Sequence, residues 1–327
     1  MLAAAACSST EEPTGVWDTP IVTAVADPNE LTPALGNYQF KAGNLLGEIG
    51  LPQFRQISAR GHSTCGVRID GALACAGENA VAGEHPLVPA SYLPGEFLEI
   101  ASGGDYACGL LTDGTLRCGG FNGFRQSEPP SGVYTRVTAS GGHACALTIE
   151  GTAVCWGHNE WAQSEPPAGT YTHIAAGGGF TCALTPTSTA VCWGHNEWGQ
   201  SDAPDEMYTY VSAGGQHACA LTAKSAAVCW GNNEYGQSDA PTGSYTHITA
   251  GDFHSCALTP ANTAVCWGYN EDGQASPPAG VYSEIAAGYL HTCALTVDHE
   301  LACWGVMEEP TDMPFDYEPA GFERLFR

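Results

Sequence analysis

The chain has 327 residues and carries 35 acidic side chains against 10 lysines and arginines, a formal charge of −25 at pH 7. Such an excess of negative charge repels polyanions, so the composition argues against nucleic acid and anionic membrane surfaces as partners. No segment beyond the first residues approaches the ~20 apolar residues that a spanning helix needs. We therefore expect contact with a membrane only through a lipid anchor.

The N-terminal segment indicates export. Small residues precede Cys7 and a polar stretch follows it, which resembles the end of a bacterial lipoprotein signal peptide. Residues 1–7 are predicted to be a signal-peptide remnant with Cys7 as the lipidation site, and the proline-containing residues 8–39 an extended tether. An unpaired cysteine in a trimmed secretion signal is the alternative. Both interpretations place the protein outside the cytoplasm, in the extracellular space or on a bacterial cell surface.

Fourteen of the fifteen cysteines form seven pairs, each with a spacing of ten residues. The pairs are Cys65/Cys75, Cys108/Cys118, Cys145/Cys155, Cys182/Cys192, Cys219/Cys229, Cys256/Cys266 and Cys293/Cys303. From Cys108 onward they recur every 37 residues, which is the signature of repeat units too small to bury a core alone. Seven units are thus predicted over residues 54–305.

The flanks of the array could supply strands that close a ring. Residues 40–53 align as a degenerate half-repeat, and the last residues of the C-terminal tail, 306–327, resemble the opening of another repeat. An eighth, imperfect unit is the alternative to closure by seven.

The spacing of ten follows from the geometry of a β-hairpin. Each unit has short apolar runs separated by Gly, Pro, Ser and Asn, without a helical period, so it is predicted to be all β. In the first unit the loop 69–71 has the length of a type I turn whose third residue is left-handed. Arg68 then faces Ala72, and Cys65 faces Cys75 within bridging range. One disulfide per hairpin, and an oxidising compartment, are predicted. A cross-strand pair offers only two thiolates, which disfavours zinc.

One phrase recurs through the units, and its residues are 174–177, 182–184, 191–194, Asn196 and 199–200, with equivalents in the other units. This phrase resembles the regulator-of-chromosome-condensation repeat, and more closely its secreted bacterial members such as the β-lactamase-inhibitor propeller. The resemblance implies a seven-bladed β-propeller that binds ligands through loops on one face. The scarcity of basic residues speaks against the nuclear exchange-factor activity of the founding member.

Packing supports blades stacked side by side. Cys145 and Leu147 share one face of a hairpin while Ala146 and Trp156 lie on the other, because strand side chains alternate. Both faces are apolar, as a blade between two blades requires. Tryptophans that follow the second cysteine are therefore predicted to lie in the inter-blade core; they are Trp156, Trp193, Trp230, Trp267 and Trp304.

The loops after each Trp-Gly are the candidate binding surface. Their residues are Phe124, Asn159, Glu160, Trp161, Asn196, Glu197, Trp198, Asn233, Glu234 and Tyr235. The asparagines are expected to bond their own backbone. The glutamates would form a solvated acidic rim, with calcium or a cationic ligand as the alternative. The rings either cover blade edges or meet a partner.

Histidines recur before the first cysteine in four units. His143, His217, His254 and His291 could form a partial ring that binds a metal, but such histidines more often satisfy a strand-end carbonyl, so no metal is predicted. The sequence has no phosphate-cradling glycine loop, nucleophile elbow or HExxH motif. Near-copies of polar groups do not make an asymmetric active site, so we predict no catalytic residue and no cofactor.

The predicted function is that of a secreted or lipid-anchored scaffold. It would bind an extracellular or envelope protein through loops on one face. A multivalent, lectin-like glycan binder is the alternative, and an enzyme is less favoured. The lectin alternative predicts similar chemistry in every blade, whereas the loop aromatic changes from Trp161 and Trp198 to Tyr235 and then to Asp272.

Overall fold

The structure, a computed structural model, describes residues 53–77 and 95–306. The strands in these ranges form seven antiparallel three-stranded sheets, one per repeat unit, numbered blades 1 to 7 in chain order. The predicted all-β, seven-bladed propeller is confirmed. No helix in the described ranges is long and apolar enough to cross a membrane. The predicted segments 1–7 and 8–39, and all but one residue each of 40–53 and 306–327, lie outside the described residues.

Each blade has an inner, a middle and an outer strand. The inner strands are β1 (Phe54–Arg60), β4 (Phe97–Ser102), β7 (Tyr134–Ser140), β10 (His173–Ala176), β13 (Tyr208–Ala213), β16 (His247–Ala250) and β19 (Tyr282–Ala287). The middle strands are β2 (Ser63–Arg68), β5 (Tyr106–Leu111), β8 (His143–Thr148), β11 (Phe180–Leu184), β14 (His217–Thr222), β17 (His254–Leu258) and β20 (His291–Thr296). The outer strands are β3 (Leu73–Gly77), β6 (Leu116–Gly120), β9 (Ala153–Gly157), β12 (Ala190–Gly194), β15 (Ala227–Gly231), β18 (Ala264–Gly268) and β21 (Leu301–Gly305).

The hairpin register is the one that the cysteine spacing predicts. Arg68 N donates to Ala72 O at 2.8 Å, and Cys65 lies opposite Cys75. All seven predicted disulfides are present, and each joins the middle and outer strands of one blade with Cα atoms 4.0 to 4.1 Å apart. They are Cys65–Cys75, Cys108–Cys118, Cys145–Cys155, Cys182–Cys192, Cys219–Cys229, Cys256–Cys266 and Cys293–Cys303. No bridge links two blades within the described ranges.

The two cysteines of each bridge differ in burial, which the sequence analysis did not distinguish. The middle-strand cysteine is buried in every blade, with at most 1% of its surface exposed. Its outer-strand partner is only half-buried, because the outer strand lies at the rim of the blade. The half-buried partners are Cys75, Cys118, Cys155, Cys192, Cys229, Cys266 and Cys303. Each bridge therefore fastens a less covered edge strand to a buried one.

The left-handed residue at the end of each hairpin turn also ties the blade to the next one. It is Gly71 in blade 1, with φ of 84°, and Ser188 in blade 4, with φ of 66°. Its carbonyl accepts from an N–H at the start of the next inner strand or two residues before it, as from Tyr208 N to Ser188 O at 2.7 Å. This bond explains why the conformation is kept even where a residue other than glycine occupies the position.

The core lies between the blades rather than within them. Leu147 and Ala153 of blade 3 pack against Ala183 and Trp193 of blade 4. The indole Nε1 of Trp193 donates to Gln163 O at 2.9 Å, so its one polar group is satisfied. The five tryptophans predicted to be inter-blade core are all buried.

Blade 7 packs directly on blade 1. Phe54 and Ile57 contact Leu295, and Phe54 N donates to His299 O at 3.0 Å. This is the same turn-to-strand bond that joins the other neighbours. The ring therefore closes with seven blades, and the alternative with an eighth is wrong.

Candidate binding face and central shaft

The up-and-down strand order gives the propeller two different faces. Turns between inner and middle strands, and the loops that follow outer strands, lie at one end, which we call the loop face. His158 N donates to Gly142 O at 2.8 Å and joins one such loop to one such turn. Turns between middle and outer strands, such as residues 149–151, lie at the opposite end, the hairpin face. All the predicted binding residues are on the loop face.

The loops are rigid because buried glutamines organise them. In the loop after blade 3, Gln163 Oε1 accepts from Trp161 N at 2.9 Å, and Gln163 Nε2 donates to His158 Nδ1 at 2.8 Å. Asn159 Oδ1 accepts from Ser164 N at 3.0 Å. The expectation that the asparagines bond the backbone of their own loop is confirmed. The role of the glutamines was not predicted, although one recurs in every loop from Gln126 to Gln274.

Two classes of acidic side chain differ in role. Asn196 Nδ2 donates to Asp202 Oδ1 at 2.9 Å, and Asn233 makes the same bond to Asp239, so these acids hold the loop closed. Glu160, Glu197 and Glu234 stand exposed as an acidic rim. Among the described residues no group of three or more His, Cys, Asp or Glu side chains could hold a metal ion.

The neighbouring blade decides whether a loop aromatic is covered. The Trp161 ring lies over Gly179 of the next blade, where a Cβ would come within 2.9 Å of it. Its centroid is 5.0 Å from that of His195. Gln216 takes the position of Gly179 one blade later, and Trp198 stays 47% exposed.

Phe124 and Tyr235 complete the series. Phe124 packs on His158, with centroids 4.5 Å apart, whereas Tyr235 remains 36% exposed beside Phe253. The prediction that the rings cover blade edges therefore holds for only two of the four. Phe124 and Trp161 cover blade edges, while Trp198 and Tyr235 form an exposed aromatic pair on neighbouring loops.

The buried histidines link neighbouring blades. His143 Nε2 lies 2.9 Å from Thr181 Oγ1, and Thr181 Oγ1 donates to Gln163 O at 3.0 Å. The hydroxyl has one proton and gives it to the carbonyl, so the histidine must be the donor and carries its proton on Nε2. The expected strand-end carbonyl is wrong as the partner, because a side-chain hydroxyl of the next blade takes that place.

Burial keeps these imidazoles neutral. It is the main cause that lowers the pKa of His143, His217 and His254 to about 3 and that of His291 to about 4. The positive charge of Arg60 adds to the effect on the first two.

The pairing of each buried histidine with a hydroxyl on the next blade is also visible in the sequence. A histidine two residues before the first cysteine occurs only where the next blade has Ser or Thr one residue before its own first cysteine. These pairs are His143/Thr181, His217/Ser255, His254/Thr292 and His291/Thr64. Where the residue is not histidine, the next blade has alanine: Ser63/Ala107, Tyr106/Ala144 and Phe180/Ala218. Aligning adjacent repeats would have revealed this pairing.

A central shaft of about 610 Å³ runs between the seven inner strands. At the loop face the backbones converge: Gly178 N donates to Gly214 O at 2.9 Å and Gly215 N to Gly251 O at 3.1 Å. A Cβ on Gly214 would collide with the carbonyl oxygen of Gly251, so this collar needs glycine.

Arg60 crosses this end of the shaft. It starts from blade 1 and its guanidinium donates to Ala213 O and Gly214 O of blade 5, at 3.3 and 3.1 Å. It also pairs with Asp252 of blade 6 at 3.2 Å and is 7% exposed. Arg60 stands out in the sequence because glycine occupies its position in blade 2 and in blades 4 to 7.

The other end of the shaft carries a ring of seven polar side chains of five types, which we call the mouth ring. Each comes from near the start of an inner strand: Gln56, Glu99, Arg136, His173, Tyr210, His247 and Glu284. Burial raises the pKa of Glu284 to about 7, and nearby Glu99 adds to this. Burial also raises the pKa of Glu99, which the charge of Arg136 opposes. The ring is the asymmetric polar group that the repeat-by-repeat reasoning missed.

Comparison with known proteins agrees with this architecture. The model for the regulator of chromosome condensation (RCC1) repeat matches residues 134–160, 171–200, 208–237, 245–274 and 282–308. Together with seven cyclic blades, these matches define a β-propeller built of such repeats. The chain belongs to the RCC1-repeat propellers. No curated protein sequence matches it.

Solved structures share the fold. The ectodomain of the Arabidopsis thaliana receptor kinase ACR4 is 24% identical, with a TM-score of 0.63 over 81% of this chain and 99% of that one. The ectodomain of the Physcomitrella patens receptor kinase CR4 is 25% identical, with a TM-score of 0.63 over 82% and 78%. Prp20p of Saccharomyces cerevisiae is 16% identical, with a TM-score of 0.61 over 77% and 82%.

Proposed function

We propose that the protein is an extracellular scaffold that binds another protein through its loop face. The observation that carries this proposal is the exposed aromatic pair, Trp198 and Tyr235, on loops that are already fixed by internal hydrogen bonds. Exposed Trp and Tyr bury large areas at low entropic cost and dominate binding hot spots. A rigid loop also loses little entropy when it binds.

The surroundings of the pair define the partner's chemistry. Glu197 and Glu234 precede the two rings and are exposed. A complementary surface would offer an apolar pocket for each ring and basic side chains between them. The net charge of −25 also favours a basic partner through long-range electrostatic attraction.

Export is part of the proposal. Seven disulfides form and persist in oxidising compartments, and the two plant relatives are receptor ectodomains. Lipidation at Cys7 would hold the propeller at a bacterial cell surface. The structure of Prp20p was described together with its binding to Gsp1p and histones, a precedent for protein partners of this fold.

The test replaces both rings, Trp198→Ala with Tyr235→Ala. Proteins captured from the cell envelope by the wild type would be purified, and their affinity for each variant measured by calorimetry. We expect binding to weaken by at least about 2 kcal/mol, roughly 30-fold, with little change in melting temperature. The matched control is Ile149→Ala, which removes a side chain 72% exposed on the hairpin face.

Two outcomes would contradict the proposal. Unchanged affinity of the double variant would remove the aromatic pair from the interface. Binding to a glycan array that rises with the density of the protein, without capture of any protein, would favour the lectin-like alternative.

A further inference from the structure

The shaft is a pocket with one open end. Arg60 and the glycine collar close it at the loop face, whereas the mouth ring lies where the inner strands begin, toward the hairpin face. Its volume of about 610 Å³ falls in the range of pockets that hold small molecules. Tyr210, on the mouth ring, keeps 41% of its surface accessible because the shaft admits solvent.

Charge is divided across the mouth ring. Carboxylates come from Glu99 on blade 2 and Glu284 on blade 7, the two neighbours of blade 1. Arg136 follows on blade 3 and His173 on blade 4. The pocket thus has an acidic side and a side of nitrogen donors.

The polar atoms of both sides are only partly used by the protein. Val137 N donates to Glu99 Oε2 at 3.3 Å, and Ile57 N donates to Glu284 Oε1 at 3.2 Å. Within the described residues, no hydrogen bond uses the second oxygen of either carboxylate. His173 Nδ1 is buried without a hydrogen-bond partner there.

We propose that the mouth ring binds a small zwitterion, a molecule with one ammonium and one carboxylate such as a free amino acid or a short peptide. The ammonium would contact the second oxygens of Glu99 and Glu284. The carboxylate would receive hydrogen bonds from the guanidinium of Arg136, and His173 would line the pocket beside it. A simple anion would meet the carboxylates and a simple cation would meet the guanidinium, so a ligand of either single charge fits less well.

Calorimetric titration of the full chain tests this site, with alanine and trialanine as probes. Propionate and ethylammonium are the matched ligands that keep one charge each. We expect a zwitterion to bind at least about tenfold more tightly than either of them. Arg136→Gln and Glu284→Gln should each weaken this binding about tenfold, while Glu150→Gln, an exposed change on the hairpin face, should not.

Three results would overturn the assignment. They are no heat of binding with either zwitterion at about 5 mM, equal affinity for propionate or ethylammonium, and unchanged affinity in Arg136→Gln and Glu284→Gln variants that melt like the wild type. Loss of protein binding in the loop-face variant would leave the result here unaffected, so the two sites are tested independently.

Discussion

The hydrogen bond between His217 and Ser255 can be replaced by an apolar pair of residues that already occurs between another pair of neighbouring blades. Phe180 and Ala218 stand at the same two positions one blade earlier, and both are buried. We predict that the double variant His217→Phe with Ser255→Ala folds and packs as that pair does. Its stability should depend less on pH than that of the wild type.

The magnitude follows from proton linkage. The folded pKa of His217, about 3, lies below the unfolded value, so the contribution is present above about pH 6.5 and lost as pH falls. At pH 5 the unfolded state gains a proton that the folded state does not, which costs about 2 kcal/mol. That figure is set by the unfolded pKa, because the folded pKa is well below 5. The four histidines together would lose about 8 kcal/mol, a large part of a typical folding free energy.

Denaturant unfolding at pH 8 and pH 5 measures this difference. We expect the loss of unfolding free energy between the two pH values to be smaller by about 2 kcal/mol in the double variant. Ser255→Ala alone is the control, because His217 stays buried and keeps its pH dependence. An equal loss in the double variant and the wild type would refute the reasoning, since the imidazole would then be charged in the folded state.

Two further predictions concern the hairpins. Replacing Cys219 and Cys229 together by Ala should lower the unfolding free energy by about 2 to 3 kcal/mol and leave a folded ring, because a ten-residue loop restricts the unfolded chain only modestly. Calorimetry with circular dichroism would check this, and a fully unfolded variant would contradict it. Ser225→Gly should raise the melting temperature, since Ser225 has a φ of 64°, where a residue other than glycine costs about 1 to 2 kcal/mol, and the greater freedom of glycine in the unfolded chain offsets only about 0.4 to 1 kcal/mol of this. A lower melting temperature would mean that the serine side chain contributes more than this strain costs.

The hairpins could be predicted from sequence because they depend on local rules. The spacing of Cys65 and Cys75 fixes the register, and the alternation of side chains fixes both apolar faces. Seven copies of the same rule then define the ring. The disulfides and the tryptophan core follow from the same argument.

Features that depend on contacts between units were harder to predict. Trp161 and Trp198 occupy equivalent loop positions, yet one is covered and the other exposed, because Gly179 and Gln216 differ on the following blade. The mouth ring escaped notice for a different reason. Repeat analysis extracts what recurs, and a position that holds Glu99, Arg136 and five other side chains has no consensus.

The pairing of histidine with a hydroxyl on the next blade has a consequence for how such a chain can evolve. If recombination removed blade 6, His217 would meet Thr292, another acceptable neighbour. If it removed blade 5, Phe180 would meet Ser255 instead of Ala218. Units that look interchangeable in outline thus have an obligatory order, and the ring tolerates duplication or loss at some junctions and resists it at others.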